Sequence, residues 1–166
     1  QIPSLDICDP KDPDDETLMD MVKQCEQTAL NHADITNSKG GQIGWDRFEL
    51  FMVSSNGFKG SYASTDGGFY VQPVAGNGDN MQVSYDQTNA IYFDDLKTPQ
   101  DVGDKAAEKT IAKLNPKKVK TGSYPVLFDR DISASLIGHL ISAISGPNIA
   151  KGVSFLKDKL NQPLFD

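Results

Sequence analysis

Donors for metal and thiol chemistry are scarce in this sequence. Among 166 residues there are two histidines and two cysteines. His32 and His139 are far apart, and Cys8 and Cys25 lack the short spacings of zinc or redox sites. Positive charge is also short: 16 Lys and Arg stand against 23 Asp and Glu, a net charge of −7. With a pI near 4.7 this excludes the basic footprint that nucleic-acid binding requires, so no nucleic-acid partner is expected. The one basic run, Lys117-Lys118-Val119-Lys120, reads as a solvated lead into a strand. No apolar run is long and polar-free enough to span a bilayer, because Ile132 to Ile149 is serine-rich and broken by Pro147. No signal peptide is expected, and the expectation is a soluble, intracellular protein without membrane contact. Gly76-Asn77-Gly78 lacks the Lys-Ser/Thr ending of a phosphate loop.

What is present alternates between helical and strand-like patterns. Gln1 to Asp12 is an extended lead-in rich in Asp and Pro. Asp12-Pro13-Asp14-Asp15 predicts an N-cap, a proline in the first turn and acids against the helix dipole. The stripe Leu18, Met21, Val22, Cys25, Ala29 then carries an amphipathic helix to about Asn31. Cys25 is expected as a core thiol, and His32 as a cap on the last carbonyls. From Ile35 to Phe93, β-branched and aromatic runs cut by turn dipeptides predict antiparallel strands near 42–54, 59–65, 69–75 and 81–93. Asn56-Gly57 and Asp66-Gly67 are read as tight hairpin turns with positive φ at both glycines, and Gly76 to Asn80 as a looser one. Pro73 marks an edge or a bulge. Thr98-Pro99-Gln100-Asp101 opens a second helix with the stripe Val102, Ala106, Thr110, Leu114, ending near Asn115-Pro116.

Residues 119–128 are expected as a strand feeding the most apolar helix. From Ile132, the positions Leu136, Ile137, Leu140, Ile141 and Ile144 form one wide face, read as a helix to be buried. Asp129 or Asp131 caps it, and Gly146-Pro147 ends it. The carboxylate pairs Asp94-Asp95 and Asp129/Asp131 sit at helix starts, where capping outweighs acid–base catalysis. Ser135 and Ser142 flank His139 within helical reach, but no oxyanion loop or third group accompanies them.

Several linked stretches together resemble TldE, also called PmbA. They are Lys118 to Phe128, Leu136-Ile137-Gly138-His139-Leu140, Ala143-Ile144-Ser145-Gly146 and Ser154-Phe155-Leu156. Earlier stretches agree: Ile35 to Gly40, Ser55 to Tyr62, Met81-Gln82 with Tyr85, and Val102-Gly103 with Ala106 to Thr110. The resemblance implies a subunit of the cytoplasmic TldD/TldE metalloprotease, a hetero-oligomer that degrades or trims unfolded peptides. In the TldD-type partner this helix carries His-Glu-x-x-x-His. The shared pattern places Gly138 at the first histidine, His139 at the glutamate and Ala143 at the second histidine, so no zinc is expected in this chain and zinc is expected in the partner. Against the family, the chain reads as a middle piece.

The resulting expectation is an α+β fold. Residues 1–116 would be the end of an N-terminal α+β domain, an antiparallel meander flanked by helices. Residues 117–166 would be the start of a C-terminal domain, a strand and a buried helix. Function is expected to be that of a non-catalytic TldE-type subunit acting with a TldD-type protein on unfolded peptides. The alternative is a non-enzymatic peptide-binding or scaffold domain that holds an extended peptide along a sheet edge.

Overall fold

The computed structural model describes residues 5–164. It divides into two compact units, Gln1–Lys118 and Val119–Asp166. In the first, α1 spans Asp15–Leu30 and is capped by Asp14, whose carboxylate accepts from the Thr17 N–H. The cap therefore falls two residues later than Asp12, and Pro13 lies outside the helix. Asp14 holds the extended conformation (φ −77°, ψ 162°) that lets a short side chain reach back to a free amide of the first turn.

Strands β1 (Ile35–Val53) and β2 (Lys59–Ala75) form one long antiparallel hairpin. Its turn is the Asn56-Gly57 stretch, with φ +87° at Gly57 and the Gly57 N–H donating to the Ser54 carbonyl. Asp66-Gly67 is not a turn. Both residues lie inside β2 opposite Asp46 and Trp45, so the two expected strands 59–65 and 69–75 are one. Gly67 serves packing instead: a Cβ there would lie 2.3 Å from Cε3 of Trp45, so the position must be bare for the indole to cross it.

The expected fourth strand is also divided. β3 (Gln82–Val83) pairs with β2 at Val74 and Ala75, and β4 (Asp86–Ala90) pairs with it from Gly67 to Val71. The result is a four-stranded antiparallel sheet, as expected, but not a meander: β3 and β4 lie end to end along one edge of β2. Pro73 falls between their stretches and opposite the register shift at Ser38–Gly41 in β1, which resolves it as a bulge position where its missing N–H costs little.

Helix α2 (Pro99–Ile111) begins as its sequence dictates, with Thr98 accepting from the Asp101 N–H and Pro99 in the first turn. It packs with α1 on one face of the sheet. Cys25 and Ala29 from α1, Val102, Ala106 and Ala107 from α2, and Ile35, Phe69, Val71 and Ala75 from the strands make a single apolar core. Burial there pushes the Cys25 thiol up to about 12, the nearby Asp86 charge adding to the effect, which fits the expected inert core thiol. Asp86, itself buried, is held by Lys109 Nζ at 2.6 Å and Lys97 Nζ at 3.4 Å, tying β4 to α2.

In the second unit, residues 119–128 form no strand. A strand needs a neighbour's backbone, and no described segment pairs with this one; Leu127 is 98% exposed. Helix α3 (Arg130–Ile144) is capped by Asp129, which accepts from the Asp131 N–H. It stops before Ser145, and Pro147 opens the short α4 (Gly146–Ala150). The expectation that α3 is buried is corrected within this unit: of its residues only Ala143 is buried, while Ile137 and Ile141 are 59% and 60% exposed. The unit has only α4 and the turns after it to set against a wide apolar face.

Candidate functional site

The three positions singled out on α3 can be followed atom by atom. Ala143 is covered by Ser154, whose hydroxyl donates to the Ala143 carbonyl at 2.6 Å and in turn accepts from the Leu156 N–H. Asn148 Nδ2 donates to the Ser142 carbonyl at 2.8 Å and to its hydroxyl at 3.3 Å, folding the segment after α4 back onto the helix. His139 lies on the open side of this fold. Together His139, Ser142, Ala143, Asn148, Val153, Ser154 and Phe155 line a cleft of about 300 Å³. Gly138 faces open space.

This arrangement restricts the chemistry. Ser135 donates to the Ile132 carbonyl, and Ser142 is engaged by Asn148, so neither hydroxyl is paired with the His139 imidazole. For zinc, the donor set does not fit: His139 offers one imidazole, Gly138 and Ala143 offer nothing, and Ser154 is committed to the Ala143 backbone. Among the described residues no three His, Cys, Asp or Glu side chains gather where they could hold a metal ion.

Other sequence expectations resolve as structural contacts. The His32 imidazole does not cap α1, although its backbone N–H donates to the Ala29 carbonyl; Nε2 lies 2.8 Å from Asp104 Oδ1 and links the end of α1 to α2. The imidazole finds a carboxylate on the neighbouring helix, a stronger partner than a terminal carbonyl. Asp129 caps α3 as expected, but Asp94-Asp95 cap no helix: they lie in a short 3-10 turn, α2 is capped by Thr98, and Asp94 pairs with Lys11 at 2.5 Å.

A cluster that sequence alone did not reveal lies where the lead-in meets β2. The Thr65 N–H donates to the Ile7 carbonyl at 3.0 Å, and the Thr65 hydroxyl donates to the Ile91 carbonyl and accepts from the Asp9 N–H. Arg47 donates to the Asp9 carbonyl at 2.7 Å and approaches Cys8 Sγ at 3.1 Å. The Asp9 carboxylate accepts from the Phe93 and Lys11 N–H groups, which hold it below the ordinary carboxylate range. The Tyr92 hydroxyl donates to Asp6, which pushes its pKa up to about 12. Lys11 lies over the Phe93 ring, which in turn meets Trp45 edge-on. These pairings join residues up to 86 positions apart, and no local motif announces them.

A four-stranded antiparallel sheet with two helices packed on one face defines the first unit as α+β, and the second unit is helical. Residues 8–114 match the PmbA/TldA metallopeptidase central domain and residues 121–166 the PmbA/TldA metallopeptidase C-terminal domain. The chain belongs to this PmbA/TldA family. Metalloprotease PmbA of Escherichia coli O157:H7 is 30% identical over 164 residues, 98% of this chain and 36% of that protein. A PmbA homolog of Haemophilus influenzae is 31% identical, covering 96% of this chain and 36% of its own length. The chain therefore spans little more than a third of the length of these curated relatives. A crystal structure from Bacteroides thetaiotaomicron, described as a candidate modulator of DNA gyrase, superposes with a TM-score of 0.87 at 29% identity, covering 98% of this chain and 38% of that one. A Thermotoga maritima structure described in the same way shares the fold at TM-score 0.87 and 22% identity, covering 96% and 37%. Among the described residues no helix is long and apolar enough to cross a membrane.

Proposed function

We propose that the chain is part of a TldE-type subunit that carries no zinc and assists a zinc-bearing TldD-type partner in the cytoplasm to bind and cleave unfolded peptides. The observation that carries this reading is the donor-poor α3: Gly138 and Ala143 offer no ligand and Ala143 is packed under Ser154. Family membership supports the peptidase setting; the donor set supports an accessory role within it. On its own the chain should be proteolytically inert, and elemental analysis of purified chain should find no stoichiometric zinc. One tightly bound zinc per chain would overturn this.

The functional test compares peptide cleavage by the TldD-type subunit alone, with the full-length TldE-type protein, and with its Leu140→Asp/Ile144→Asp variant, circular dichroism accompanying the last. Cleavage is expected only with the unaltered protein present. Equal cleavage by the partner alone, or any by this chain alone, sinks the accessory role. The second reading, a binding or scaffold domain that cleaves nothing, is favoured by an open sheet edge on β2.

A further inference from the structure

We propose that the outer edge of β2 from Lys59 to Ala63 pairs with the same edge of a second copy of this chain, antiparallel about a two-fold axis at Ser61. The inference does not rest on the peptidase reading and involves no substrate. β4 covers β2 only from Gly67 to Val71, and β3 only at Val74 and Ala75. Toward the hairpin tip, β2 has β1 on one side and no described strand on the other.

The main chain sets the register. In an antiparallel ladder successive residues point their backbone groups to opposite sides. Thr65 sends its N–H outward to the Ile7 carbonyl, so Ala63, Ser61 and Lys59 aim their N–H and C=O groups the same way. Those groups have no backbone partner on that side among the described residues. The open stretch is bounded at one end by the Ile7 contact and at the other by the turn at Gly57. An antiparallel copy that uses all of it sets Ser61 against its own equivalent, and Lys59 against Ala63 in both directions. The outward groups then exchange about six main-chain hydrogen bonds. The two sheets become one, with both pairs of helices on the same face.

The side chains select a second copy as the occupant. Lys59 and Glu49 are exposed and form no ion pair among the described residues. Glu49 stands beside Ala63 on one face of the hairpin. In the proposed register Lys59 of the second copy flanks Ala63 on its other side, roughly 10 Å from Glu49 across two strand spacings. The combined length of a lysine and a glutamate closes that gap over the small alanine, and the two-fold axis makes the pair twice. On the opposite face Tyr62 lies against Gly60 of the second copy, an aromatic ring over a bare backbone. Behind that glycine stands Met52, as Leu50 stands behind Tyr62, so three half-exposed apolar side chains form one row, again twice. Each row needs this sequence on both sides of the axis, which an unrelated strand does not supply. Unpartnered edges are ordinarily guarded by charge or proline, yet Lys59 is the only such residue from Lys59 to Ser64, and here its charge is matched.

Sedimentation velocity of the whole 166-residue chain tests the pairing. The contact is short and belongs with weak interfaces, so a concentration-dependent dimer is expected within about 10–500 μM. Ser61→Pro deletes the outward N–H at the axis while sparing the ladder to β1, and should weaken the dimer roughly tenfold or more, with circular dichroism checking the fold. Lys59→Glu and Glu49→Lys each bring like charges together twice and should each weaken it about tenfold. Mixing these two variants in equal amounts should restore the dimer, because each copy then supplies the charge that the other faces. If Ser61→Pro loses its fold, the charge variants decide alone, since both positions are exposed. A chain that stays monomeric up to about 500 μM overturns the proposal and leaves the edge to a different occupant. A dimer indifferent to these variants, or a mixture no more dimeric than its components, places the interface elsewhere and overturns it equally.

Discussion

Helices α1 and α3 carry the same kind of sequence pattern and meet opposite fates. In α1, Cys25 and Ala29 are fully buried under α2 and the sheet. In α3, which is the more apolar of the two, Leu136, Ile137, Ile141 and Ile144 are all exposed within their unit. The difference teaches what helical periodicity does and does not say. It identifies a face that lowers free energy when covered, but the cover is supplied by other elements, and periodicity is silent about whether they arrive. For α1 they arrive within the same unit, as β2 and α2. For α3 the described unit provides α4 and a few turns.

The sharpest way to break the comparison is to truncate one apolar side chain in each unit. Phe69 is 1% exposed at the centre of the first unit's core, so Phe69→Ala should destabilise that unit by about 3–5 kcal/mol. Ile141→Ala, at a position already 60% exposed, should change stability by no more than about 0.5 kcal/mol. Urea denaturation followed by circular dichroism, with Trp45 fluorescence reporting on the first unit, measures both. Comparable losses at the two sites would show that α3's face is covered in solution.

A second contrast lies inside the first unit and shows how far local sequence could be read. Caps were legible because they are local: Thr98-Pro99 and Asp101 form the predicted N-terminus of α2 almost to the residue. Asn56-Gly57 was legible for the same reason. Asp66-Gly67 had the same dipeptide signal, yet its glycine answers to Trp45, a residue 22 positions away that no local window contains. The contacts of the lead-in cluster, Arg47 with Cys8 and Tyr92 with Asp6, were invisible for the same reason, and so was the pairing partner that residues 119–128 lack. For α3 the helix and its Asp129 cap could be read from sequence, but the Ser154 hydroxyl that donates to the Ala143 carbonyl could not.

The two glycines test this distinction. Gly57→Val forces a β-branched residue to φ +87° and should cost on the order of 1 kcal/mol or somewhat more through backbone strain alone. Gly67→Val has no such strain, but its side chain would run into the Trp45 indole and should cost about 1–3 kcal/mol, with a change in Trp45 fluorescence. Gly67→Ala should already show much of that fluorescence change, whereas Gly57→Ala should leave the signal alone. If neither Gly67 variant moves the fluorescence, the packing explanation fails.

The smallest effect is electrostatic and sharpens the picture of how the lead-in is attached. The Asp9 carboxylate, held by the Phe93 and Lys11 amides, titrates below its unfolded value of 3.8. For a depressed carboxylate the stabilisation is fully present above the unfolded pKa and is lost as pH falls through the folded one. Asp14 behaves in the same direction because the Thr17 amide holds it at the start of α1. Stability of the first unit should therefore be insensitive to these groups between neutral pH and pH 5, and should decline only below about pH 4 as protons displace the amide bonds. Asp9→Asn retains an oxygen acceptor but no longer titrates, so it should be less stable at neutral pH and fall less steeply on acidification. The measurement is a urea midpoint at a series of pH values for both proteins. Parallel curves would mean that the Asp9 charge does not hold the lead-in to the sheet, and that Arg47 and the Thr65 contacts anchor it without that carboxylate.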